Sequence, residues 1–177
     1  TEKPRKLAAS GFNERVAECA AAHEILCQNV RTLPNLAAFS ITELESCEAA
    51  MEPVLYRRAR HVVTEMARIA DGVAALRLHD YAVLGAQLNA SHMSTSTDYG
   101  VSCEELDVIT EAARACDAVF GARLTGAGFG GCAIALVQPG HGDEVAAQVR
   151  EVFKERFSVD PGFDLLRIGG GPGEITA

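Results

Sequence analysis

No stretch of this sequence is long and apolar enough to cross a membrane as a helix. The longest run without a charge, Leu124 to Gly142, contains six glycines and Pro139, and within it only Cys132 to Val137 is continuously apolar. A spanning helix needs about 20 mostly apolar residues. No signal peptide is visible either: the sequence opens Thr1-Glu2-Lys3-Pro4-Arg5-Lys6, without an initiator Met, so a longer parent is expected. Excess positive charge is lacking. The net charge of −8 argues against a nucleic-acid or anionic-membrane partner. That charge is placed unevenly, since residues 1–68 carry nine basic and nine acidic side chains and are neutral, whereas 69–177 carry seven and fifteen. The six cysteines form no Cys-x-x-Cys pair and show no metal-ligand spacing with the histidines. They read as buried free thiols in a reducing compartment, which makes the expected location cytoplasmic. No internal repeat, Ser-His-Asp set, pocket with paired carboxylates or metal cage is visible.

What is present fits a soluble, globular chain. With 177 residues, 48% hydrophobic and 23% charged, it suits one domain over 1–177, long enough to bury about 70% of its unfolded surface without disulfides or metals. Phe12, Val16, Cys19, His23, Leu26 and Val30 recur at helical steps and predict a first helix with one apolar stripe. Thr42 and Glu45 fit a capping box that starts a short second helix. Pro53 precedes a long third helix, predicted to turn Leu55, Val62, Met66, Ile69, Val73 and Leu76 to the core, and Leu78 to about His92 reads as its antiparallel partner. The polar segment Ser91 to Val101 reads as a loop. Ser102 with Glu105 predicts a second capping box, stapled by Val101 and Leu106, with Leu106, Ile109, Ala113 and Cys116 continuing the stripe.

Beyond this point the period becomes extended. Ala122 to Thr125 predicts a short strand, Cys132 to Val137 a buried strand, Asp143 to Phe157 an amphipathic helix and Phe163 to Ile168 a last strand. This order gives an α+β domain, with helices packed on one face of a small, mostly antiparallel sheet.

The glycine segment Gly126-Ala127-Gly128-Phe129-Gly130-Gly131 is the sharpest feature. It satisfies G-x-G-x-x-G, yet it opens a strand, whereas a dinucleotide fingerprint must open a helix. No Gly-Lys-Ser/Thr follows, so it is no Walker loop. Two readings stay open: a tight turn between strands, or bare backbone that faces a ligand. His23 reads as a satisfied core histidine, while His92 divides evenly between structure and catalysis. Arg57, Arg58 and Arg60 read as a solvated basic face. The acidic side chains Glu104, Glu105 and Asp107 suit the first turn of a helix, where they offset its dipole.

Taken together, these segments resemble the GHMP kinases, and within them the galactokinase branch. Arg123 to Cys132 is similar to the family's third motif. Phe12-Asn13-Glu14-Arg15 with Glu18-Cys19 is similar to its Tyr-Asn-x-Arg-Arg-x-x-Glu-Cys helix, and Arg58-Ala59-Arg60-His61-Val62-Val63-Thr64-Glu65 to its Arg-Ala-x-His-Val-x-x-Glu helix. Leu88 to Ser94, Asp98-Tyr99 and Val101 to Asp107 also follow the branch. The resemblance implies a ferredoxin-like C-terminal lobe and transfer of the ATP γ-phosphate to the anomeric hydroxyl of galactose. ATP and Mg2+ would be held mainly by an N-terminal kinase lobe whose sugar motif, phosphate loop and catalytic Asp and Arg are not in this sequence. It assigns no catalytic and no metal residue here. It does assign the loop Gly126, Ala127, Gly128, Phe129, Gly130 and Gly131 to the active-site wall and Phe12 to the sugar. Phe12, Val16, Thr95 and Ser96 stand where the family has Tyr, Arg, Leu and Arg. The implied alternatives are a kinase for N-acetylgalactosamine or arabinose, or a non-catalytic sugar and ATP sensor.

Overall fold

The computed structural model describes Thr1 and residues 11–166. Among these, six α-helices are formed: α1 (Phe12–Asn29), α2 (Ile41–Ser46), α3 (Pro53–Arg77), α4 (Tyr81–Ser94), α5 (Glu104–Arg114) and α6 (Gly142–Phe157). Two strands, β1 (Val119–Thr125) and β2 (Cys132–Val137), pair antiparallel from Val119 opposite Val137 to Thr125 opposite Cys132. The α+β class is therefore as expected. The strand anticipated at Phe163 to Ile168 is not formed over Phe163–Leu166, and its last two residues lie outside the described ones. Leu165 and Leu166 there are about three-quarters exposed and pair with no strand edge. No described helix is long and apolar enough to cross a membrane.

Helix α4 runs along the outer edge of β1 and supplies the hydrogen bonds that an edge strand otherwise leaves open. The Ala122 amide donates to Asn89 Oδ1 at 2.9 Å and the Leu124 amide to His92 Nδ1 at 3.2 Å. Such an approach needs bare backbone on both sides. A Cβ on Gly85 would strike the Phe120 carbonyl, and one on Gly121 would strike the Gly85 carbonyl. Strand β1 is longer than expected, pairing with β2 back to Val119, and Ala122 and Leu124 beneath α4 are almost fully buried. The outer strand β2 is the half-covered one: Cys132, Ile134 and Ala135 are exposed rather than buried.

Two apolar clusters form the core. One gathers Ala22, Leu26, Leu36, Phe39, Leu44 and Val63 around α1, α2 and α3; the other gathers Ala112, Ala113, Cys116, Ala122, Val145 and Val149 around α5, α6 and β1. Two expected stripes are only partly directed at them: Cys19, Leu26 and Val30 on the α1 stripe and Leu55 and Val62 on that of α3 do pack in the first cluster. On α1 the buried residues are Arg15, Ala22 and Leu26, while Phe12 and Val16 are 54% exposed. On α3 the inward face is Arg58, Ala59, Val63, Gly72 and Ala75, and Met66, Ile69, Val73 and Leu76 face outward. Small residues sit inward where the neighbouring helix comes close, which leaves the larger ones outside.

The helix starts differ as well. The capping box of α2 is Ser40 with Glu43, two residues earlier than Thr42 with Glu45: Ser40 Oγ accepts from the Glu43 amide and Glu43 takes the Ser40 amide at 2.8 Å. Helix α5 starts after Cys103, and Ser102 turns its hydroxyl to Asp107 Oδ1 at 2.6 Å instead of capping the helix. Val101 and Leu106, the expected staple, are both buried. The expected loop over Ser91 to Val101 is mostly helical. Helix α4 continues to Ser94 and passes into one π-helical turn, Thr95–Tyr99, which ends on the left-handed Gly100.

Candidate functional site

The glycine hairpin carries a run of left-handed backbone: Gly126, Gly128, Phe129, Gly130 and Gly131 all have positive φ. At Gly128 (φ 78°) a side chain would meet the Val101 carbonyl oxygen, and the Phe129 amide donates to that same oxygen at 2.6 Å. Gly128 is thus required by a backbone contact within the protein. That contact pins the loop against the segment leading into α5 and sets the position of the loop's remaining residues. The Phe129 ring reaches the start of α1, where a Cβ on Gly11 would sit 3.2 Å from Phe129 Cζ.

A cleft of about 150 Å³ lies beneath this loop. Its walls are Phe12 and Arg15 of α1, His61 of α3, Thr95 and Tyr99 of the π-helical turn, Val101, Arg123 and Leu124 of β1 and its approach, and Gly126, Ala127 and Phe129 of the loop. Phe12 and the loop, predicted from distant parts of the sequence, meet here. The exposed ring of Phe12 belongs to the cleft and not to the core. Sequence reasoning misses Arg15, His61, Thr95, Tyr99, Val101 and Arg123 as wall residues. Arg15 and His61 do stand inside the matched Asn-x-Arg and Arg-Ala-x-His segments, which is the signal that could have found them. A larger hollow of about 410 Å³, lined by Asp117, Gln138, His141 and Glu144 among others, contains none of the motif residues.

Behind the cleft wall lies an ionic network. Glu18 accepts from Arg15 and, at 2.7 Å, from Arg58 Nε. Burial alone would raise the Glu18 carboxyl, but the bonds from the two arginines outweigh it and hold its pKa below 4.5. Arg58 also donates to the Asp98 carbonyl oxygen, and Arg60 pairs with the Asp98 carboxylate. The basic cluster is therefore not a uniformly solvated face: Arg57 is exposed, but Arg58 is 7% exposed and built into the structure. A buried guanidinium persists because Glu18 partners it. The Nε of Arg15 is sealed from solvent and without a hydrogen-bond partner among the described residues. The Tyr99 hydroxyl, 3.9 Å from Cys19 Sγ, is pushed up to about 12 by burial and by Cys19.

Both histidines weighed from the sequence are structural. His23 Nε2 donates to the Leu33 carbonyl at 2.8 Å, and its ring meets Phe39 edge-on. His92 is 2% exposed. Because its Nδ1 accepts from the Leu124 amide, Nε2 carries the hydrogen and faces Thr110 Oγ1 at 2.8 Å, with Asp107 Oδ1 at 3.2 Å. Burial pushes its pKa down. The six cysteines are all free, but only Cys47 and Cys116 are buried, and Cys132 at the start of β2 is exposed. Among the described residues no group of three His, Cys, Asp or Glu side chains could hold a metal ion.

Residues 73–155, which run from the end of α3 into α6, match the family model described as GHMP kinases C terminal. Over almost its whole length the chain is 41% identical to the galactokinase of Staphylococcus carnosus, covering 97% of this chain and 44% of that protein. Over residues 73–155 this chain is similar to the C-terminal part of GHMP kinases. Similarity to the galactokinase of Clostridium acetobutylicum is 36% over 99% of the chain and 45% of that protein. Among solved structures, the galactokinase of Lactococcus lactis complexed with galactose superposes with a TM-score of 0.85 at 37% identity, over 90% of this chain and 41% of that one. The chain thus spans less than half the length of these relatives.

Proposed function

We propose that this chain is the C-terminal, substrate-cleft lobe of an ATP-dependent sugar-1-kinase of the galactokinase type. The reaction would be transfer of the γ-phosphoryl group from ATP to the anomeric hydroxyl of galactose, giving galactose 1-phosphate and ADP. The observation that carries this reading is the convergence of Phe12 and the glycine hairpin on one cleft. It is supported by galactokinase relatives along nearly all of the chain, one of them solved with galactose.

In this reading residues 1–177 form one domain and contribute a wall. The Phe12 ring offers an apolar surface to the carbon face of a sugar, and the hairpin lets bound substrate approach bare backbone. Among the described residues no carboxylate lines the cleft, and both its arginines are already paired: Arg15 with Glu18 and Glu14, Arg123 with Glu65 at 3.6 Å. Phosphoryl transfer depends on positioning and on stabilising charge, so the base, the phosphate cradle and the ligands of Mg2+ would come from an N-terminal lobe. No carboxylate lines the described cleft, so in this reading this wall offers the ion no carboxylate ligand. Free cysteines are in keeping with a reducing, cytoplasmic setting.

The test is product identification. The complete two-lobed protein is incubated with MgATP and, separately, galactose, N-acetylgalactosamine or arabinose, and the anomeric phosphate is followed by phosphorus NMR. Galactose 1-phosphate is expected. A different sugar phosphate would reassign the substrate, and sugar binding without any product would favour a non-catalytic sensor.

A further inference from the structure

His61 lies on the cleft wall, and the reading above gives it no role. Its Nδ1 is 3.0 Å from Ser94 Oγ, and the Ser94 hydroxyl donates to Asp98 Oδ2, also at 3.0 Å. With that hydrogen committed to Asp98, the Ser94 oxygen can only accept, so His61 carries its hydrogen on Nδ1 and the lone pair on Nε2. The arrangement is held from behind. Asp98 is anchored through its carboxylate by Arg60 and through its carbonyl by Arg58. The imidazole is also stacked on Tyr99, with ring centroids 4.5 Å apart and planes 27° apart. Burial pushes the His61 pKa down to about 4, which keeps the ring neutral near pH 7. Among the described residues Nε2 has no hydrogen-bond partner, and it is not sealed from solvent as Arg15 Nε is.

We infer that His61 is a specificity residue of the cleft, whose Nε2 accepts a hydrogen bond from one hydroxyl of the bound sugar. This rests on the sugar-kinase reading. A neutral acceptor that shares a cleft with the exposed Phe12 ring suits an uncharged polyol. A phosphate would need uncompensated positive charge instead, and the charge of the cleft's two arginines is already matched by Glu14, Glu18 and Glu65.

The experiment uses the complete protein and steady-state kinetics with galactose and its monodeoxy analogues. His61→Asn keeps a donor for Ser94 but is too short to present the far acceptor, and His61→Phe keeps the stack on Tyr99 and loses both nitrogens. Each is expected to raise the galactose KM roughly two- to tenfold, with kcat close to that of the parent. His61→Gln, whose amide oxygen can reach the Nε2 position, should recover most of the loss. One monodeoxygalactose should be penalised in the parent and not further penalised in the Asn and Phe variants. Variants that melt early yet keep the parent's KM and deoxy-sugar profile would overturn the inference and leave His61 as packing. A parent that neither binds nor phosphorylates galactose would overturn the kinase reading itself, and the role of His61 with it.

Discussion

Arg58 on α3 and Glu18 on α1 stand 40 positions apart in sequence, yet Arg58 Nε donates to Glu18 Oε2 at 2.7 Å, with the two side chains 9% and 16% exposed. This pair ties α1 to α3, the two helices that bring Phe12, Arg15 and His61 to the cleft. Removing one member of a buried pair leaves the other charge uncompensated. Arg58→Met should therefore cost roughly 3 kcal/mol, the lower end of the usual range because Arg15 still faces Glu18. Chemical denaturation measures this. A loss below about 0.5 kcal/mol, as for an exposed pair, would show that the contact does not hold the helices.

The start of α2 gives a sharper local test. Ser40→Ala removes the cap and should cost about 1 kcal/mol, whereas Thr42→Ala should cost only a few tenths. The partner Glu43 is held at a pKa of about 2 by the Ser40 amide, Arg31 and the Ser40 hydroxyl. A carboxylate with a depressed pKa stabilises the fold above its unfolded value, here 4.5, and that contribution is lost as pH falls from 4.5 towards 2. Carboxyl NMR should find Glu43 still ionised at pH 3. A normal titration, together with a costly Thr42→Ala, would move the cap back to Thr42.

That cap shows how far the sequence could be read. Ser40-x-x-Glu43 and Thr42-x-x-Glu45 both satisfy the capping pattern, and only the tertiary path from Phe39 decides between them. Helix existence, the antiparallel α3–α4 pair and the hairpin were legible because period and turn chemistry are local properties. The second half of the α3 stripe was not: Leu55 and Val62 pack on the core as expected, but beyond them Val63, Gly72 and Ala75 face inward while Met66, Ile69, Val73 and Leu76 stay exposed, which no hydrophobic count reveals. Burial of Arg58 was hidden for a related reason, since Glu18 is distant in sequence. The π-helical turn at Thr95–Tyr99 has no periodic signature, so its polar residues read as a loop. The cleft was half legible, through Phe12 and the glycines. His61 and Tyr99 become wall residues only once α3 and that turn are brought together.

His92 should make the fold sensitive to mild acid. Burial lowers its pKa below 6.5, and that of His61 to about 4. Below pH 6.5 the unfolded chain takes up protons that these folded side chains refuse, so stability should fall from pH 6.5 towards 5. Protonation of the depressed carboxylates sets in only lower. His92→Phe should make this limb shallower, leaving the share of His61, while costing about 1–3 kcal/mol at pH 7.5, because it strips the buried Leu124 amide of its acceptor. A limb of unchanged slope in His92→Phe would show that His92 contributes nothing to it.

Phe12 offers a test of the cleft wall. Its ring is exposed and lines the cleft, so a hydroxyl added in Phe12→Tyr projects towards solvent or ligand and buries nothing. In the complete protein the variant should keep its melting temperature and lower the galactose KM roughly two- to tenfold, the value of one net hydrogen bond. A destabilised variant with unchanged KM would return Phe12 to the core.

The most direct measurement is ADP release in a coupled assay, made in parallel on the complete two-lobed protein and on residues 1–177 alone, with galactose varied. The expected result is galactose-dependent turnover by the complete protein and none above background by the 177 residues, whose described cleft lacks a carboxylate base and a phosphate cradle. Turnover by the 177 residues alone, or a complete protein that stays silent with galactose, would contradict the assignment of this chain as the substrate-cleft half of a galactokinase-type enzyme.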